Sequence, residues 1–206
     1  MSDVHEQMEH AEHVEHAAHS NKKIALVIAI LALFLAFSET LGKGAQTSAL
    51  SKNIEASDLW AFFQAKTIRQ TVMRTVAESE AIGLATLPDA TRAAMAKQID
   101  TWKKTIDRYE SDPESKEGRK ELTQRAKETE QLRDLNFAKY ENYEMASAAF
   151  QIGIVLASAS VITGMLALVY GATGLGAIGL AFTGFGLFAP DVLEHLQQMI
   201  EHLHGG

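Results

Sequence analysis

MASAAFQIGIVLASASVITGMLALVYGATGLGAIGLAFTGFGLFAP, residues 145–190, contains no Asp, Glu, Lys or Arg. As one helix it would extend roughly 69 Å at ~1.5 Å per residue, over twice a ~30 Å hydrocarbon core, so it has to fold back on itself. Gly171-Ala172-Thr173-Gly174 supplies a reversal and predicts two apolar helices, 146–170 and 174–189. Helices apolar on every side are usually membrane spans, and that reading is preferred here to a buried hairpin in a soluble protein. The chain has 206 residues, and most of its charge lies between residues 43 and 144.

Outward from this hairpin, a third apolar stretch occupies 24–37, with Lys22 and Lys23 before it and Ser38-Glu39-Thr40-Leu41-Gly42-Lys43 after it. Its unbroken core is shorter than the ~20 residues a span needs, but extension to Gly42 with the lysines snorkelling gives a first transmembrane helix at 21–43. Ala36-Phe37-Ser38 also fits a small-x-small cleavage site. A leader carrying five acids before the apolar core is a poor secretory signal, so the segment is read as a retained anchor. There is no Cys, which excludes disulfides, thiolate zinc sites and thiol nucleophiles. A net charge of −7, with Lys and Arg interleaved among acids, argues against nucleic acid as a partner.

Residues 44–145 read as helix throughout, an extramembrane bundle or coiled-coil-like stalk between the first and second spans. Leu50, Ile54, Ala61, Ala65, Ile68, Val72 and Val76 carry a first helix to about Ala85, where Leu87-Pro88-Asp89 interrupts it. Met95, Ile99, Trp102, Ile106 and Tyr109 alternate at four and three, a stripe that calls for a helix partner. Ser111-Asp112-Pro113-Glu114 offers an N-cap and a first-turn proline for a third helix through Leu122, Ala126, Leu132, Leu135 and Tyr143 into the second span. Three helices in strict alternation would finish at the end far from the membrane, so the middle one is expected to cross the tip or pack obliquely. Trp60, Phe62 and Phe63 are expected to serve the core of this region.

Residues 1–20 form a polar tail rich in His and Glu. His10, His13, His16 and His19 recur in steps of three, which spiral by about 300° per step instead of stacking on one face. With Glu9, Glu12 and Glu15 they could bind a transition metal weakly, or titrate near neutrality as a pH sensor. The plain reading is a solvated arm, since a mobile tail supplies neither four fixed ligands nor a supporting shell. No other cofactor is expected. At the other end, 190–206, PDVLEHLQQMIEHLHGG, places Val192, Leu196, Met199, Ile200 and Leu203 on one face, an amphipathic surface helix. Three spans would put its His195, His202 and His204 across the membrane from the first tail.

The succession EHAEHVEHAAHSNKKIALVIAILALFLAFSETLGK (9–43) and NIEASDLWAFFQAKTIR (53–69) resembles a group of small bacterial membrane proteins known as domain of unknown function 4337. The resemblance implies a multi-pass protein of the bacterial inner membrane and transfers no catalytic residue.

Two groups of residues stand out within the spans. Ser38, Glu39 and Thr40 put polar atoms beside hydrocarbon; Glu39 is expected to pair with Lys43 four residues on, or else to face an oligomeric pore. Gly153, Ala157, Ser160 and Gly164 in the second span, and Ala172, Gly176, Gly179 and Thr183 in the third, recur at helical spacing and allow close helix approach. No GxxxxGK[ST] loop, nucleophile motif or paired acid and base is present, so no enzyme is expected. Lys43, Lys52, Arg133 and Lys139 outnumber Lys22 and Lys23, which sets the middle region in the cytoplasm. The expected function is a non-enzymatic, membrane-anchored helical scaffold in contact with the lipid bilayer. It is homo-oligomeric, with its extramembrane helices open to a protein partner. The alternative is a small oligomeric channel or an ion-, pH- or metal-responsive protein.

Overall fold

A computed structural model describes the backbone of residues 2–191 and the side chains of residues 22–191. The described residues are all-α. Helix α1 runs Ser2–Gly83, a single 3-10 turn occupies Leu84–Thr86, and α2 (Asp89–Glu110), α3 (Arg119–Thr163) and α4 (Leu166–Phe188) follow. They form two compact units: one from residues up to Ser48 and from Leu135 onward, the other from Ala49–Asp134. Three of the helices are long and apolar enough to cross a membrane. The side chains of His10, His13, His16 and His19, and the C-terminal stretch 192–206, lie outside the described residues.

Helix α1 ends where the residue before a proline is driven out of the helical region, Leu87 being extended at φ −85° and ψ 151°. Arg92 in the first turn of α2 donates from Nε to Leu84 O (3.2 Å) and from Nη2 to Leu87 O (2.8 Å), satisfying carbonyls that the broken helix leaves open. Helix α2 then runs back antiparallel along the distal part of α1, burying Ile99 and Ile106. Its partner on α1 includes Ala77, and Gln70 Nε2 donates to Ile106 O at 3.1 Å.

The third helix does not start at Pro113. Residues 113–116 form a turn, Lys116 adopts the left-handed region at φ 56°, and α3 begins at Arg119. The reason is a carboxylate that reaches back: Ser111 Oγ donates to Glu121 Oε1 at 2.6 Å, and Asp112 N donates to Glu121 Oε2 at 3.2 Å. The Ser111 hydroxyl holds the Glu121 carboxyl below its ordinary range. This contribution is therefore complete at neutral pH and disappears as acid titrates the group through that lowered value. Glycine is required at 118 because a Cβ there would come within 2.6 Å of Ser111 Cα, a backbone atom that cannot swing aside.

The offset through 111–118 resolves the topological problem posed by three helices. Arg119 meets Thr67 and Gln70 on α1, while further along α3 Leu122 and Ala126 pack on Leu59, and Trp60 Nε1 donates to Glu130 Oε1 at 2.9 Å. Thus α2 and the start of α3 lie one after the other against α1, both antiparallel to it. The middle helix does not cross the tip but runs back along α1. Trp60 and Phe63 meet edge to face at 5.6 Å and flank the Leu59–Leu122–Ala126 core, as expected, whereas Phe62 stays partly exposed beneath the Lys66 ammonium.

In the other unit, α3 and α4 form an antiparallel hairpin. The reversal falls at Gly164-Met165, seven residues before the glycines that suggested it. Gly164 takes φ 69°, its N–H donates to Ser160 O at 2.9 Å, and Ser160 Oγ donates to Met165 O at 3.0 Å. Gly164 therefore makes the turn and does not belong to a packing stripe. Gly171 and Gly174 lie inside α4, and neither ends the helix. The apolar part of α1 packs into this hairpin through Ile24 and Leu31, against Ala146, Phe150, Ala157 and Ala172.

Candidate functional site

Glycines in α4 let large side chains from the other two helices come in. A Cβ on Gly176 would stand 2.7 Å from Leu31 Cδ2, one on Gly179 2.7 Å from Phe150 Cε1, and one on Gly186 2.6 Å from Tyr143 Cε1. On the facing side Gly153 approaches Ala172 O, and Ala157 and Ser160 are buried. The small residues at 153, 157, 160, 176 and 179 are thus brought together in one interior, satisfied within the chain. Gly186 belongs with them; its place in the rhythm 172, 176, 179, 183, 186 was readable, but it falls near the end of the predicted span.

Ser38, Glu39 and Thr40 do not act together, because successive helical residues point about 100° apart. Ser38 turns inward, fully buried, and its Oγ lies 2.9 Å from Thr183 Oγ1, which itself donates to Gly179 O. Thr40 is exposed and bonds back to Ala36 O. Glu39 accepts from Gln151 Nε2 on α3 at 3.5 Å, and among the described residues it forms no ion pair with Lys43.

Between α1 and α3 at this level lies a polar cleft of about 430 Å³, lined by Glu39, Lys43 and Gln46 on one side and by Tyr140, Glu144 and Ser147 on the other. Partial burial and the nearby Glu144 carboxylate push the Tyr140 phenol above its ordinary value. Among the described residues no group of three or more His, Asp or Glu is arranged to hold a metal ion.

The Ala49–Asp134 unit contains a second polar centre, of structural character. Arg119 donates to Gln70 Oε1 (2.6 Å), Glu110 Oε2 (2.9 Å) and Thr67 Oγ1 (3.0 Å), and its guanidinium lies 5.1 Å over the Phe63 ring. Lys66, almost wholly buried, sits over the rings of Phe62 and Tyr109 and pairs with Glu117 at 3.5 Å. These groups hold the junction where α2 hands over to α3.

The face that α1 presents to its own unit is formed by Ala49, Ala56, Leu59, Phe63 and Ala77, with the polar Gln70 among them. The stripe Leu50, Ile54, Ile68, Val72 and Val76 falls on the opposite side of the same helix and is exposed, Ile54 by 61% and Ile68 by 65%. It continues into a groove of about 400 Å³ formed with Met73, Trp102 and Tyr109. Sequence periodicity finds both faces and gives no sign of which one the chain itself covers.

A family model described as Domain of unknown function (DUF4337) matches residues 20–189. No curated protein and no solved structure matches the chain.

Proposed function

The chain thus belongs to the family described as Domain of unknown function (DUF4337), and from its own residues we propose that it is a non-enzymatic, membrane-anchored helical scaffold that associates with copies of itself. The observation that carries this reading is the exposed stripe on α1. A helix in a solvated bundle normally sets charged residues opposite its packed face, whereas here Leu50, Ile54, Ile68, Val72 and Val76 stand there. One flank of the stripe is Ser57, Gln64 and Thr71, all uncharged. Copies anchored in one membrane share an orientation, so like residues meet at like height; a stripe without charges on that flank can meet itself without repulsion.

Anchoring rests on the three apolar helices and on the outward-facing side chains of the helical hairpin and its α1 partner, among them Leu26, Leu33, Val155, Ile162 and Phe188. Lys43, Lys52, Arg133 and Lys139 favour the Ala49–Asp134 unit in the cytoplasm of a bacterium, with the anchor in the inner membrane. A channel built around Glu39 has less support, because Ser38 is bonded to Thr183 inside the chain and Thr40 bonds its own helix.

The test is the mass of the full-length protein in lipid nanodiscs and in mild detergent. Ile68→Ser with Val72→Ser removes two apolar side chains per copy from the stripe, at about 1 kcal/mol or more each, and should weaken self-association at least tenfold with helix content unchanged. An oligomer that persists unchanged in this variant would remove the stripe as its cause.

A further inference from the structure

We propose that the cleft between α1 and α3 binds the headgroup of an ethanolamine phospholipid. The inference rests on the membrane reading above and names a ligand for that anchor. Three features converge on it.

The cleft holds charges of both signs that form no ion pair among the described residues. Glu39 and Lys43 are four residues apart on one helix, in the order that favours an ion pair, yet do not form one, and Glu144 faces them from α3 without a basic partner. Two carboxylates and one ammonium in one cleft match a ligand that brings a cation together with an anion. Next, Ser147 lines the cleft at only 9% exposure, and its hydroxyl has no hydrogen-bond partner in the chain. The Ser147 hydroxyl is open to the cleft and offers both a donor and an acceptor to a group supplied from outside.

The location selects the source of that ligand. The apolar run of α1 stops at Phe37, one residue before the cleft begins, and the uncharged run of α3 starts at Met145, one residue after Glu144. Both helices therefore change from apolar to charged at this height, which in a membrane is the headgroup layer. A phospholipid there presents a phosphate to Lys43 and an ammonium to Glu39 and Glu144. A primary ammonium also donates to the Ser147 hydroxyl, three donors in all, whereas a quaternary choline has none to give and is held instead by an aromatic cage. The Tyr143 ring packs on Gly186 and is not free to build such a cage.

The experiment is native mass spectrometry of the full-length protein in detergent, after equal exposure to ethanolamine, choline and glycerol phospholipids of the same acyl chains. One ethanolamine phospholipid per chain should be retained at least fivefold over the other two. Glu39→Gln with Glu144→Gln should abolish the preference, Ser147→Ala should reduce it, and Ser57→Ala, outside the cleft, should leave it intact. Equal retention of all three lipids, or a preference untouched in Glu39→Gln with Glu144→Gln, overturns the proposal. So does displacement of the lipid by free phosphoethanolamine at equal concentration, since the ligand would then be a soluble zwitterion. Failure of the membrane reading looks different: the chain would stay monodisperse without detergent.

Discussion

Phe150→Ala is expected to destabilise the anchor by about 3–5 kcal/mol, the largest single effect in the chain. Phe150 is fully buried, stacks on Phe34 at 6.0 Å and faces Gly179, so truncation leaves a void between three helices that cannot close without moving one of them. Contacts of this kind carry added weight in lipid, where no hydrophobic force drives helix association and dispersion has to hold the helices. Loss of helix during titration from mild detergent into dodecyl sulfate measures the change. The glycine opposite supplies the converse. Gly179→Ala puts a methyl 2.7 Å from Phe150 Cε1 and should cost about 1–3 kcal/mol by overpacking, part of which returns when Phe150→Leu is added. Strict additivity of the two changes would contradict the packing assigned to them.

The second large effect is expected at Arg119. Arg119→Ala removes donors from Gln70, Glu110 and Thr67 together, and leaves the Gln70 amide oxygen, almost wholly buried, without its partner. A loss of about 2–3 kcal/mol follows from stranding that group. Arg119→Lys should recover less than half, since a single ammonium cannot reach three acceptors held apart by a planar fork. Both tryptophans, Trp60 and Trp102, belong to the Ala49–Asp134 unit, so thermal unfolding followed by tryptophan emission reports on that unit alone. An unchanged midpoint in Arg119→Ala would reduce the network to surface decoration.

The all-α class and the three helices long and apolar enough to span a membrane were legible because each rests on a long, redundant signal: the uncharged run at 145–190 and apolar periodicity elsewhere. Single-residue punctuation was less legible. Gly171 and Gly174 look like a turn, but the reversal went to Gly164, where Ser160 and Thr163 hydroxyls sit close enough to tie the ends together. Pro113 looked like a helix start until Glu121, ten residues beyond Ser111, reached back to claim the preceding backbone. Both outcomes depend on partners outside the short window in which a turn signal is read. At the candidate site, Glu39 was identifiable as a charge beside hydrocarbon, and its pairing was not: the i,i+4 rule pointed to Lys43, but Gln151 from another helix took the contact. Tyr140, Glu144 and Ser147 carried no signal of their own, because a cleft exists only once α3 is set against α1.

Absence of cysteine makes the membrane account directly testable by site-specific labelling in intact membrane vesicles from cells expressing the protein. Single cysteines at Met165, in the α3–α4 turn, and at Asp112, between α2 and α3, are probed with a thiol reagent that cannot cross lipid. The three-span reading predicts that Asp112→Cys and Met165→Cys react from opposite faces of the membrane. Reaction of both from the same face, or release of the unmodified chain from the vesicles by alkaline carbonate, would contradict it.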